Sequence, residues 1–244
     1  MKRFRGDLHI HTCLSPCSDL EMSPITIVEK SLEKGLDLIA VCDHNSAENV
    51  GAVLRAGARR GLHVLPGMEI NSLEEVHTLA IFDSEKQAFS MQEIVYENLD
   101  GTNRPDLFGD QVVANEHDEV EGYNDRMLIG ATRLRLAEIV SEVHRLGGLS
   151  IASHVDRPSY SLLGQLGFVP QDLRLDALEV SYHVRRDHFA GRESEIDDLP
   201  VITSSDAHFK RDIGKVHTTF YVEIPSVDEI RMAFKKERGR RVVD

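Results

Sequence analysis

Hydrophobic positions along this chain alternate between two rhythms. Short apolar runs such as 36–42 ("LDLIAVC") have the pattern of buried strands. Between them, apolar residues recur at helical spacing. A strand is predicted over 4–11. A helix then opens with Ser23 as N-cap and Pro24 at N1, and Gly35 ends it. Strand 36–42, helix 47–60 and strands 62–70 and 76–82 follow. Leu136, Ile139, Val140, Val143 and Leu146 mark a further helix that stops at a Gly pair. Next come strand 149–154, a helix around Leu162, strand 177–183, another helical stretch, and strands 200–208 and 216–224. Ser226 and Glu229 have capping-box spacing and open a final helix. Repeated strand–helix units predict a parallel sheet with right-handed crossovers. About seven units fit a closed barrel or an open doubly wound sheet.

The rhythm breaks over 83–129, which holds 12 acidic and 3 basic residues. Within it, 111–123 ("QVVANEHDEVEGY") is predicted to be a β-hairpin turning near 116–118. The segment is either an inserted subdomain or lid within a single domain spanning 1–244, or a solvated excursion.

Composition narrows the function classes. The 244 residues carry a net charge of −13. So acidic a protein repels polyanions, which disfavours extended nucleic acid but not a small anionic substrate. No apolar run approaches the roughly 18 residues of a membrane helix. The start "MKRFRGDLHI" lacks the apolar stretch of a signal peptide. Three cysteines, Cys13, Cys17 and Cys42, are an odd and small number. They are read as reduced thiols of a cytoplasmic protein.

The candidate chemistry lies at strand ends. In "DLHIHT", His9 and His11 are two apart, so on a strand they face one way, with Asp7 behind them. Alone, such a pair is weak evidence for a metal. The other strands add Asp43 and His44, Glu69, His77, His154, and the pair Asp206 and His208. Active sites of parallel barrels are built at the carboxyl ends of strands, where most of these residues fall. Burying so many charged groups without partners would be costly, and coordination removes that cost. His63, His117, His144, His188 and His217 fall on helices, in the acidic segment or at the far strand ends, and are read as surface or structural. His183 follows a strand and is a candidate substrate contact.

The motifs "DLHIHT", "CDHN", "GMEIN", "HTLA", "ASHVDRP" and "SSDAH" occur in the order seen in the polymerase and histidinol phosphatase (PHP) family. The chain resembles that family from residue 7 to residue 208. The resemblance implies an α/β fold, a distorted (β/α)7 barrel, and up to three divalent metals. It implies one metal on His9, His11, Glu69 and Asp206, a second on Glu69, His77 and His154, and a third on Asp19, His44 and His208. Asp19 follows an intervening "CLSPCS". Cys13 and Cys17 there are rival ligands, read as small shielded thiols.

Mixed imidazole and carboxylate ligands suit Zn²⁺, Mn²⁺ or Fe²⁺. Such a centre would attract a compact phosphate. The expected nucleophile is a hydroxide held between metals by Glu69, His77, His154 and Asp206, attacking phosphorus in line. Ser204 and Ser205 lack a base and are read as turn residues. Asp7 and Asp43 are candidates for orienting ligand histidines or, equally, for a plain structural role. Arg157 is the leading phosphate contact, with Arg185, Arg186 and Lys210 on neighbouring loops. The basic run "FKKERGRR" is read as a solvated helix end. The expected activity is hydrolysis of a small phosphate monoester with release of inorganic phosphate. The alternatives are a phosphoesterase of nucleotides or nucleic-acid ends, a metal-dependent C–N hydrolase, and a non-catalytic metal-binding module.

Overall fold

The computed structural model describes residues 1–170, 172–181 and 199–243. Its first elements are β1 (Lys2–Ile10), α1 (Pro24–Glu33), β2 (Leu38–Val41), α2 (Val50–Arg60), β3 (His63–Asn71) and β4 (His77–Ile81). The segment set apart by its acidity follows as α3 (Glu85–Glu97), α4 (Pro105–Phe108), β5 (Val112–Ala114) and β6 (Val120–Tyr123). The chain continues through α5 (Leu136–Arg145), β7 (Leu149–Ala152), α6 (Leu162–Leu166) and β8 (Ala177–Val180). It ends with β9 (Val201–Thr203), β10 (Thr218–Val222), α7 (Val227–Phe234) and β11 (Arg241–Val243).

The main sheet has the order β11-β10-β1-β2-β3-β4-β7-β8-β9. It curls until its two halves meet. Ile10, at the end of β1, bridges Ala207, just past β9. The His11 amide donates to the Ala207 carbonyl at 3.0 Å, and the Ala207 amide returns to His9 at 3.3 Å. Seven strands thus form a distorted (β/α)7 barrel, with β10 and β11 added outside on β1.

The sheet is mixed, not parallel throughout. β4 runs antiparallel to both β3 and β7. Only residues 72–76 link β3 to β4, too short for a crossover, so the chain reverses in a tight turn at Glu75 (φ 57). The predicted strand 216–224 is likewise no barrel unit. It forms β10, antiparallel to β1.

Alternation along each strand separates interior from exterior. Ile39, Val41, Met68 and Ala80 pack outward with Ile27, Val53, Ala88 and Ile139 from the helices. Leu38, Ala40, Leu65, Leu79, Ile151, Ala177 and Ile202 form the inner apolar layer. Continuing those inner faces toward one rim, Leu65 leads to Glu69, Leu79 to His77 and Ala177 to Glu179. An apolar floor therefore carries a ring of buried polar groups.

The acidic stretch begins as a core helix. Ala88, Met91 and Val95 of α3 are fully buried. Its hairpin is fastened by charge. Asp118 accepts the Ser23 hydroxyl at 2.7 Å and the Ile25 amide at 2.9 Å, at the start of α1. Glu116 holds Arg55 and Arg59 of α2. Ser226 caps α7 by accepting the Glu229 amide. The Glu229 carboxylate instead holds Arg240 and the Glu223 amide, so the capping box is only half formed. Among the described residues, no helix is long and apolar enough to cross a membrane.

Candidate metal centre

Glu69 lies at the hub. Its Oε1 is 3.4 Å from His9 Nε2, 3.1 Å from His77 Nδ1 and 3.2 Å from His154 Nε2. Its Oε2 is 3.1 Å from His44 Nδ1 and 3.6 Å from His11 Nε2. Asp206 is the second anionic centre, its Oδ1 3.3 Å from His9 and 3.1 Å from His11.

The topology explains the convergence. β1, β2, β7 and β9 deliver His9, His11, His44, His154, Asp206 and His208 at or just past their carboxyl ends. Because β4 is reversed, its first residue, His77, comes to the same rim, opposite Asn71 in register. Two of these groups sit on backbone that side chains rarely adopt, His154 at φ 28 and Asp206 at φ 49. Such strain persists where the surroundings fix it, and it concentrates at functional sites.

Among the described residues, three donor groups each gather within 4.8 Å: His9, His11, Glu69 and Asp206; His44, Glu69 and His77; and His11, His44 and His208. The first is the predicted first set. The second takes His44 with Glu69 and His77, while His154 meets Glu69 at 3.2 Å but stands in none of the three groups. The third lacks Asp19. The Asp19 Oδ1 accepts the Glu21 amide at 2.8 Å, spending its carboxylate on its own turn. It stands in none of the three groups.

The donor chemistry fits cations. His9 Nε2 and His11 Nε2 are 3.1 Å apart and both face Asp206 Oδ1, so their lone pairs converge. His154 Nδ1 is buried with no hydrogen-bond partner among the described residues. Burial alone pushes the Glu69 carboxyl up, yet His77 and His9 hold it well below the usual carboxylate range. Burial likewise opposes charge on Asp206, which His9 and His11 hold well below that range. Burial also pulls the His9 imidazole down, but Glu179, Asp206 and Glu69 keep it well above its ordinary value. His11 is pushed well below its ordinary value by burial and His208.

Asp7 and Asp43 take the plain structural role that was the alternative to orienting ligand histidines. Asp7 binds the Ser205 and Gly214 amides, and burial raises it to about 6. Asp43 accepts the Thr12 amide and hydroxyl and the Ser15 hydroxyl, each at 2.7 Å. Both carboxylates hold loops, and neither contacts the second nitrogen of a ligand histidine. Glu179 on β8 takes that role for His9, accepting from Nδ1 at 3.0 Å. Ser15 takes it for His11, at 2.9 Å. Sequence reading passed over Glu179. Its signal was a lone acid inside the apolar run "ALEV".

Glu179→Gln is expected to weaken metal binding about 10- to 100-fold, because an orienting carboxylate tunes its ligand. Titration against a competing chelator measures this. Unchanged affinity would leave Glu179 a merely structural role.

A cavity of about 190 Å³ opens over the centre. Arg157, Tyr160 and Ile129 line it beside the metal-type ligands. Arg157 Nη2 pairs with Asp206 Oδ2 at 2.6 Å. The Tyr160 ring stacks on His77 with centroids 4.9 Å apart. Lys210 does not line the cavity and pairs with Glu21 at 2.6 Å. His183, Arg185, Arg186 and His188 lie outside the described residues, as does the helical stretch expected after β8. His144 pairs with Asp176, His217 with Arg5, and His63 stands at the far end of β3.

A distorted barrel with a His, Glu and Asp cluster at one rim has the donor set of a metal centre. The PHP domain model matches residues 7–169, and a PHP-associated model matches 188–238. The chain belongs to the PHP domain family, whose members bind divalent metals. YqxK of Bacillus subtilis (strain 168), described as uncharacterised, is 23% identical over 100% of this chain and 65% of its own length. PfuEndoQ of Pyrococcus furiosus, described as a lesion-specific endonuclease, superposes with a TM-score of 0.71 and 22% identity. That match covers 99% of this chain and 58% of PfuEndoQ. Endonuclease Q bound to a 27-mer duplex with an abasic lesion gives a TM-score of 0.67 and 21% identity, over 99% and 58% of the two chains. The chain thus spans less than two thirds of each of these proteins.

Proposed function

We propose that the chain is a metal-dependent phosphoesterase that hydrolyses a small phosphate monoester and releases inorganic phosphate. The observation that carries this reading is a cavity of about 190 Å³ with metal-type ligands on its walls and Arg157 among them. His9, His11, Glu69 and Asp206 would hold one divalent ion, and Glu69 with His44, His77 and His154 a second. A third would lie at His11, His44 and His208. Zn²⁺, Mn²⁺ and Fe²⁺ all suit this set. Bound metals would supply a nucleophile from water near neutral pH and offset phosphate charge.

This chain's residues do the positioning. Glu179 and Ser15 fix the His9 and His11 rings so that both Nε2 atoms face inward. Arg157, held by Asp206, presents a planar fork for phosphate oxygens. With two carboxylates among these donors and three divalent ions, the local charge would be strongly positive within an acidic protein, so a dianion is favoured. Three unpaired cysteines suit a reducing, cytoplasmic setting.

A second reading, action on nucleic acid, draws on the likeness to endonuclease Q. The net charge of −13 weighs against an extended polyanion.

The test is a panel of sugar phosphates, histidinol phosphate and nucleotides, run beside a lesion-bearing duplex with Mn²⁺ or Zn²⁺ present. Phosphate release from at least one monoester is expected, falling about 100-fold in Arg157→Ala. Duplex cleavage without any monoester release would replace the first reading by the second.

A further inference from the structure

The acidic stretch that follows β4 ends beside the donor cluster, in a tight turn over residues 127–130. There the Gly130 amide donates to the Met127 carbonyl at 2.9 Å. Leu128 anchors the turn from below, fully buried with Leu14 and Leu99. Asn45, the residue after His44, fastens it from the side. Its Nδ2 donates to the Leu128 carbonyl at 2.7 Å and to the Gly130 carbonyl at 2.8 Å, and its Oδ1 accepts the Asn71 amide at 3.0 Å. Asn45 is buried on left-handed backbone (φ 50), which asparagine tolerates better than most side chains. The Thr132 amide and hydroxyl add two bonds to the Asn71 carbonyl, at 2.8 and 2.9 Å. The turn is therefore built into the rim just past β2 and β3, as a fixed wall and not a swinging lid. Its residue Ile129 lines the cavity over the centre.

Tyr160 lines the same cavity from the loop after β7. Its ring lies on His77, yet the residue is 44% exposed. Its left-handed backbone (φ 55) is held by its own carbonyl, which accepts the His77 amide at 3.0 Å. Apart from Ile129 and Tyr160, the described walls are imidazoles, carboxylates and the Arg157 guanidinium. The cavity is thus divided by chemistry. Its charged part suits a phosphate, and its apolar part suits the group to which that phosphate is esterified.

We propose that Ile129 and Tyr160 form the leaving-group subsite, and that they select monoesters bearing a flat, apolar group beside the ester bond over polyhydroxylated ones. The inference rests on the phosphoesterase reading above and names its substrate class. A flat ring can pack on the tyrosine ring, offset or edge-on, and shed water against the isoleucine. A polyol placed there would strip water from hydroxyls that Ile129 cannot satisfy. The 83–129 segment then has a function: it carries the specificity wall.

The experiment measures kcat/KM of the Mn²⁺-loaded full chain for benzyl phosphate and for glycerol phosphate. Both are alkyl esters, so leaving-group acidity does not favour the first. The wild type is expected to prefer benzyl phosphate by at least about 10-fold, the discrimination an apolar pocket gives. Ile129→Ala and Tyr160→Leu should each lower the benzyl-to-glycerol ratio about 10-fold, mainly through KM for benzyl phosphate. Ile129→Leu and Tyr160→Phe, which keep the apolar wall and the ring, should hold the ratio near wild type. Reading a ratio cancels any loss of metal or folded protein that a variant causes. A wild type that favours glycerol phosphate, or a ratio unmoved in Ile129→Ala and Tyr160→Leu, would overturn the subsite while the phosphoesterase reading stands. No phosphate release from any monoester would instead overturn that reading, and this proposal with it.

Discussion

Glu69→Gln is expected to lower kcat/KM by at least ~10³-fold, the several kcal/mol that metal charge stabilisation supplies. Metal content should fall with it. Both oxygens of this carboxylate are shared among five imidazoles, at 3.1 to 3.6 Å. Two of the three donor groups depend on it. Glutamine keeps the shape but has no charge, and its amide group would face ring nitrogens. The metal-free protein should suffer too. Glu69 is 1% exposed, and His9 and His44, both held well above the ordinary imidazole value, would lose a counter-charge. Breaking a buried charge pair costs about 3–5 kcal/mol. Metal analysis and urea unfolding of the chelator-treated protein check the two arms. Full metal content in the variant would remove Glu69 from the centre.

The barrel rim was legible because the chemistry recurs in register with the strands. His9, His11, Glu69, His77, His154, Asp206 and His208 each follow or begin an apolar run, and an apolar run is readable without partners. What escaped depends on partners. Glu179 became an orienting group only when β8 was set against β1, which brings it to His9. Asp7 and Asp43 looked like orienters because they neighbour ligands in sequence. Their oxygens turn instead to the amides of residues 205, 214 and 12. Asp19 illustrates the same limit. Its spacing resembles a ligand's, but a carboxylate two residues before an amide closes a local turn first. The reversal of β4 was implicit in the short link 72–76, yet the repeating strand–helix rhythm hid it. Helix α3 was masked by the acidity of its exposed face.

The other large effect expected is a pH-dependent gain in stability on metal loading. A ligand that binds only the folded chain, at about 1,000 times its dissociation constant, adds about 4 kcal/mol. For a chain of this size that raises Tm by about 8–16 °C. The sign of the pH dependence follows from the histidines. In the metal-free protein, burial opposes charge on His9 and His44. Glu179 and Asp206 around His9, and Cys17 and Glu69 around His44, nevertheless hold both well above the ordinary value. A raised folded value means that protonation stabilises the metal-free fold. That contribution is full below the unfolded imidazole value of about 6.5 and is lost as pH rises through the folded values. Metal binding requires the same rings deprotonated. Raising the pH therefore weakens the metal-free fold and strengthens metal binding together. The Tm difference between loaded and chelator-treated protein should widen from about pH 6 to about pH 8, the range where histidine titration acts. Burial holds His11 and His77 below their ordinary value, toward the neutral form that metal binding requires, so they should add less to the slope than His9 and His44. Paired thermal melts across that range measure the gap. A gap that stays constant or narrows with rising pH would show that His9 and His44 are not displaced of protons by the metal.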